Sequence, residues 1–238
     1  DGAFVHLLGN SCRCGGSHGG PHSGPRTTTA TRDTESKYRL IKRIWEETQP
    51  VEGSPGEAYF RARGITVGIP PTLRYHPALL HKDSGLLLPA IVAAVSASPQ
   101  ADVEGIHRTY LRPDGSWKAD VSRNKMRLGS VRGGSVRLAP AGLKLVLTEG
   151  IEDGLIVMQE TDLPAWAAMS HANLASLDLP PLPLAQEITI AADNDAMGIA
   201  SAKHAAKVMT LQGREVRIAI PPEGKDFNEM HLAENGSS

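Results

Sequence analysis

The sequence predicts an α/β protein: a C-terminal parallel sheet flanked by helices, preceded by a small mixed α+β subdomain. From Leu143 onward, short apolar runs alternate with helical stretches, the pattern of βαβ units. From Thr72 to Leu138 the runs are strand-like and are separated by turns rather than long helices. Three of the C-terminal runs end on charged clusters: Glu149-Gly150, then Asp193-Asn194-Asp195, then Gly224-Lys225-Asp226-Phe227-Asn228. Open α/β sheets bind ligands beyond the carboxyl ends of their strands, so these clusters mark a candidate catalytic edge.

Residues 9–31 are rich in Gly, Ser, Thr and Pro and predict a flexible tail, taken as residues 1–32. Cys12, Cys14, His18 and His22 lie inside it, but their spacing matches no common structural zinc pattern. A helix is expected over Thr34–Thr48, with Ile41, Ile44, Trp45 and Thr48 on one face. Ser54-Pro55-Gly56-Glu57 reads as a capping box opening a short helix that Gly64 stops. Trp45, Tyr59 and Phe60 read as core rather than as base-stacking groups. The β-rich stretch holds an apolar run, Leu86–Val95, broken by Pro89, then an alternating strand Gly105–Leu111. A Pro113-Asp114-Gly115 turn places Trp117 near a hairpin end, and Gly133-Gly134 reads as a second turn.

Beyond Leu143 the expected elements are strand Leu143–Thr148, helix Ile151–Glu160, and strands Ala165–Met169 and Glu187–Ala192. Helix Ala196–Gln212, strand Glu215–Ile220 and a last helix Asp226–Ala233 complete the set. Ala200, Ala202, Ala205 and Ala206 would let the long helix approach the sheet, Gly213 ends it, and Pro180–Pro183 form a rigid linker. Domain boundaries follow as 33–140 for the helical and β-rich basic part and 141–238 for the acidic part.

Each acidic residue has two readings. Glu149 stands at a strand end with Gly150 behind it to let the chain turn, or it favours the first turn of the next helix. Asp193 and Asp195 project to one side if extended, where two like charges need a cation, or one of them caps the following helix. Magnesium suits the first reading, because it takes oxygen ligands and substrate phosphates. Glu152 and Asp153 are second-tier candidates, while His171 and His204 read as ordinary polar positions.

The order Thr148-Glu149-Gly150, Asp193-Asn194-Asp195-Ala196-Met197-Gly198, Gly224-Lys225-Asp226-Phe227-Asn228 resembles the Toprim domain of primases, topoisomerases and related nucleases. A looser likeness extends upstream through Gly105–Leu111, Lys125 and Gly133–Leu138, which looks like the segment preceding Toprim in phage- and plasmid-type primases. The resemblance implies a Toprim-like parallel sheet in the C-terminal part. It implies Mg2+, or Mn2+ in its place, held by Glu149, Asp193, Asp195 and Asp226. Glu149, Asp193, Asp195 and Lys225 would be the catalytic set, with Lys225 meeting phosphate or a neighbouring carboxylate.

Net charge is −1, which by itself predicts no nucleic-acid partner. The distribution differs: between His107 and Arg137 lie Arg108, Arg112, Lys118, Arg123, Lys125, Arg127, Arg132 and Arg137, against only Asp114 and Asp120. Such a stripe suits phosphate backbones, or it is a solvated hairpin face. Of these, Arg108, Arg123, Lys125, Arg127, Arg132 and Arg137 are the expected nucleic-acid or nucleotide contacts, with Arg108, Lys125 and Arg137 converging on one face. The resemblance implies a DNA primase using single-stranded DNA and ribonucleoside triphosphates, with a replicative helicase as partner. A Toprim nuclease and a non-catalytic binding module of a mobile-element complex are the alternatives. No nucleotide-hydrolysing loop motif is present, and a topoisomerase needs a larger body with a nucleophilic tyrosine. Two cysteines predict a reducing, cytoplasmic setting without disulfides, and no apolar run is long enough to span a bilayer. The opening at Asp1, without a signal segment, reads as a fragment or a lost start.

Overall fold

The computed structural model describes residues 29–96, 103–130, 132–222 and 226–235. Helices α1 (Thr29–Glu46) and α2 (Pro55–Arg61) precede strands β1 (Leu73–His81), β2 (Leu86–Val95), β3 (Gly105–Tyr110) and β4 (Lys125–Gly129). Then come β5 (Val136–Arg137), β6 (Lys144–Thr148), α3 (Ile151–Thr161), β7 (Ala165–Ala167) and α4 (His171–Leu174). The chain continues through β8 (Glu187–Ala191), α5 (Ala196–Leu211), β9 (Glu215–Ala219) and α6 (Phe227–Asn235). The first sheet is antiparallel in the order β1-β2-β3-β4; the second runs β5-β7-β6-β8-β9, parallel except for β5.

Period-two alternation gives the first sheet two apolar faces. Ala90, Val92, Ile106 and Tyr110 pack against Ile41 and Ile44 of α1, while Tyr75, Ile91, Ala93 and Val95 pack with Tyr59 and Phe60 of α2. Pro89 does not break β2 as expected. It lies where the β1 register shifts between His76 and Leu79, so two residues of β1 oppose it in a bulge. Ser54 caps α2 by accepting from the Gly56 amide at 3.1 Å, and Glu57 reaches back to the Gly53 amide at 2.7 Å. Gly64 follows at φ +74, the left-handed region that stops a helix without side-chain strain.

In the parallel sheet, Leu145, Leu147, Ile188 and Ile190 face α5, while Val146 and Ala191 face α3. Strands covered on both faces read as near-continuous apolar runs, which is why the sequence shows them so clearly. The cluster on the α3 side also takes in Val51, Tyr59, Phe60, Ile91 and Val95, so both sheets share one core. That shared core fixes the basic strands against the acidic edge.

Two further details depart from expectation. α1 begins at Thr29, inside the stretch read as tail. Residues 1–28, with the cysteines and histidines of the rejected zinc reading, lie outside the described residues. On α5, Ala202 and Ala205 are buried but Ala200 is exposed, because it sits on the solvent side of the helical turn. The proline-rich segment, expected as a rigid linker, is held by Arg214, which donates to the carbonyls of Pro180, Leu184 and Ala185 at 2.6, 2.9 and 2.7 Å. Among the described residues, no helix is long and apolar enough to cross a membrane.

Candidate active site

Glu149 follows the last residue of β6, and the Met169 amide donates to its carbonyl at 3.0 Å. Gly150, the N-cap of α3, has an ordinary φ of −89, so turning freedom is not its reason. A Cβ there would stand 2.5 Å from an Asp153 carboxylate oxygen; the glycine makes room for that buried acid. Gly198 plays a similar part in the second motif, where a Cβ would meet the Asp193 carbonyl at 2.6 Å. The first turn of α5 thereby packs directly on Asp193. Asp195 caps α5, accepting from the Gly198 amide at 2.7 Å, and Asp226 accepts from the Glu229 amide at the start of α6, also at 2.7 Å.

One ligand atom each from Glu149, His171 and Asp193 lies within 4.8 Å of the others, and His171 Nδ1 pairs directly with Glu149 Oε2. Burial pushes the Glu149 and Asp193 carboxyls upward. Neighbouring acids add to this, Asp193 and Asp195 on Glu149, and Asp226 and Asp195 on Asp193, while His171 pulls both down. Desolvated carboxylates under mutual repulsion are a ready place for a cation.

Glu149, Asp193 and Asp226 line a cleft of about 180 Å³ whose lining also carries the basic Arg63, Lys118 and Lys125, with His107 among them. Pairing of β3 with β4 sets His107 opposite Arg127 and Thr109 opposite Lys125, which aims His107 and Lys125 the same way. In the same lining sits Glu152, 6% exposed, which accepts from Tyr59 Oη at 2.6 Å and pairs with Lys125 Nζ at 3.3 Å. Burial opposes its ionisation, but Lys125, Lys118 and the Tyr59 hydroxyl outweigh that and hold it well below the usual carboxylate range. Burial draws Lys118 down to about 8, with Lys125 adding to the effect, and His107 down to about 3. The third motif closes the cleft. Asn228 donates its amide to Asp153 at 3.0 Å, accepts from the Arg63 guanidinium at 2.9 Å and donates to the Arg63 carbonyl at 2.8 Å.

Residues 144–237 match the Toprim domain family, and residues 35–138 match a domain of unknown function, DUF7146. The C-terminal part of the chain is a Toprim domain. Its fold together with the preceding sheet is that of DNA primase domains. The Pseudomonas aeruginosa primase domain superposes with a TM-score of 0.52 at 15% identity, over 83% of this chain and 75% of that one. A DnaG primase catalytic domain bound to single-stranded DNA gives 0.50 at 13% identity, over 87% and 79%. The primase fragment of the bacteriophage T7 primase-helicase gives 0.48 at 18% identity, over 76% and 66%, so the chain spans just under two thirds of that fragment. No curated protein sequence matches the chain.

Within this Toprim site, Glu149 and Asp193 come together, and Asp226 lines the same cleft. Asp195 stands outside the cluster, exposed and turned to the helix amides. Lys225 lies outside the described residues. The expected convergence of Arg108, Lys125 and Arg137 does not occur. Arg108 is one residue from His107 and therefore points to the other face, where it is buried and donates to the Arg127 carbonyl at 3.1 Å. Arg137 lies on the edge of the second sheet with its guanidinium 4.4 Å from the Trp166 ring. Arg123 pairs with Asp83 at 2.6 Å, Arg132 is exposed, and Arg127 reaches Ser170 Oγ at 3.5 Å, beside His171.

His171, Arg63 and Tyr59 join the site without having been read there, and Asn228, quoted within the third motif, takes a place no role had been assigned to. His171 enters through a short helix after β7 that no apolar period announces. Arg63 and Tyr59 come from more than 80 positions upstream, bridging to Asn228 and Glu152 at separations of 165 and 93 residues. Glu152 did leave a sequence trace: with Asp153 it is one of two charges in the buried stretch Ile151–Val157.

Asp153, 8% exposed, has its carboxyl pushed up to about 7 by burial, with Asp226 adding repulsion. The folded protein therefore holds a proton there more tightly than the unfolded chain. This contribution to stability is complete below the unfolded value of 3.8 and is lost as pH rises through about 7. Asp153→Asn keeps an acceptor for the Asn228 amide. In chelator, the variant is expected to melt higher than the parent at pH 8, by on the order of 2–4 kcal/mol, with the gap closing towards pH 4. A gap that does not change with pH contradicts the assignment.

Proposed function

We propose that the chain is a primase-like nucleotidyltransferase, joining ribonucleotides on single-stranded DNA with magnesium or manganese at the Toprim edge. One arrangement carries this reading: Glu149, Asp193 and Asp226 share a single cleft with Arg63, Lys118 and Lys125. Acids alone would repel a triphosphate, and cations alone would bind it without a metal site. Lining one cleft, the two sets suit a metal-nucleotide substrate. The donor set fits a divalent ion, since Glu149 and Asp193 are desolvated and crowded by other acids. Such an ion, when bound, neutralises charge on the transferring phosphoryl group. Glu149 and Asp193 would hold it with His171 alongside, Asp226 would add an outer contact, and Lys225 would meet phosphate. Arg63, Lys118 and Lys125 would orient the triphosphate, and Arg127 would hold template. In this reading residues 33–140 supply the basic wall and residues 141–238 the metal edge. A fold shared with a DnaG domain that binds single-stranded DNA supports the choice of template.

Labelled ribonucleotides, single-stranded DNA and magnesium should yield short labelled primers. Nicked or shortened template in their place overturns the proposal in favour of a nuclease.

The basic wall has its own test. Single-stranded DNA affinity should fall with salt, as phosphate contacts release counterions. Replacing Lys118 and Arg127 by alanine should flatten the slope by up to about 1.4 log units per log of salt. Arg108→Ala should leave the slope alone and lower the melting temperature. If Arg108 rather than Lys118 and Arg127 sets the slope, the assignment of the basic contacts is wrong.

A further inference from the structure

Trp117 is the exposed tryptophan of this chain, at 44%; Trp166 is buried and Trp45 packs against the α1 core. It stands on a polar hairpin between Ser116 and Lys118, and Lys118 lines the cleft. The Arg63 guanidinium lies 4.4 Å from the centre of its ring. Arg63 is itself fixed by both its hydrogen bonds with Asn228 and stands 5.2 Å from the Tyr59 ring. The hairpin is equally fixed. The Arg112 amide donates to the Trp117 carbonyl at 2.9 Å, and Leu111 bridges Lys118. Gly115 meets the Pro55 backbone so closely that a Cβ would stand 2.0 Å from the Pro55 oxygen.

We propose that Trp117 is a stacking platform for a nucleobase at the mouth of the cleft. Resting on the primase-like reading, this assigns the base a place beside the phosphate-binding wall. An indole held on a rigid turn and braced by a guanidinium loses little freedom when a flat ring settles on it. Every base presents a π-face, so the platform accepts bases without reading them. The adjoining Lys118 supplies the charge that a base-bearing phosphate needs. If Trp117 served only to shelter Arg63, its removal would weaken phosphate binding whether or not a base is attached.

The test titrates the protein with ATP, inorganic tripolyphosphate, oligothymidylate and an abasic strand of equal length. Tryptophan emission is followed, and binding is read separately by anisotropy of labelled strand and by competition. Base-bearing ligands should quench the emission, while tripolyphosphate and the abasic strand should not. Trp117→Phe should lose the quench and keep the affinity. Trp117→Ala should weaken base-bearing ligands by about five- to a hundredfold and leave tripolyphosphate unchanged. Quenching by ATP assigns the platform to the incoming nucleotide, and quenching by the strand alone assigns it to the template. Binding without a change in emission, equal losses for ATP and tripolyphosphate, or no binding of any base-bearing ligand overturns the proposal. Stacking without primer synthesis overturns the polymerase reading and leaves the platform standing.

Discussion

Asp193→Asn should reduce ribonucleotide incorporation by about a hundred- to a thousandfold, the scale of losing one key electrostatic group at a reacting centre. The metal-free protein should melt at the same temperature as the parent or higher. Asp193 is half-buried, and burial, Asp226 and Asp195 all raise the cost of its charge. Asparagine removes that charge and keeps the size, so repulsion on Glu149 falls as well. Asp195→Asn serves as the internal comparison. Asparagine caps helices about as well as aspartate, so the α5 cap survives, and Asp195 stands outside the Glu149, His171, Asp193 cluster. A smaller loss is expected there. Measuring incorporation and melting for both variants decides the matter; near-normal turnover of Asp193→Asn with magnesium removes the metal assignment.

The parallel sheet was legible because its inner strands β6 and β8 are covered on both faces and α5 begins at a recognisable cap. Ser54 and Asp195 were readable for the same reason, since short side chains satisfy helix amides locally. The Toprim edge was legible because its acids follow strand ends. The basic wall was not, because its members are joined through space. Lys125 meets Glu152 from 27 residues away and Tyr59 meets Glu152 from 93. The basic stripe was visible as a count of charges, but a count does not say which face each side chain takes. Pairing of β3 with β4 decides that, sending Arg108 into the α1 side and Lys125 into the cleft. The glycines were recognised but their reasons were not. Gly150 and Gly198 make room for acids packed against them, which depends on tertiary contacts rather than on local turn chemistry.

Glu149→Gln and Glu152→Gln should both abolish or sharply reduce activity, and for opposite reasons. Glu149 stands at the strand end with Oε2 paired to His171 and its carboxyl pushed up by burial. Glutamine keeps the shape and removes an unfavourable charge, so Glu149→Gln should lose activity while the metal-free protein keeps its melting temperature. Glu152 is buried, ionised and paired with Lys125, and it accepts the Tyr59 hydroxyl. Glutamine there leaves the Lys125 ammonium without its counter-charge. Breaking one side of a buried ion pair costs about 3–5 kcal/mol. Lys125 keeps 37% of its side chain accessible from the cleft, so water screens part of the loss and about 3 kcal/mol is expected. Glu152→Gln with Lys125→Met should recover part of that stability, because the unpaired charge is gone, and should not recover activity. Thermal melts of the single and double variants, alongside single-turnover incorporation, separate the two roles. Equal destabilisation by Glu149→Gln and Glu152→Gln would make Glu149 a structural residue and move the catalytic acid elsewhere on the Toprim edge.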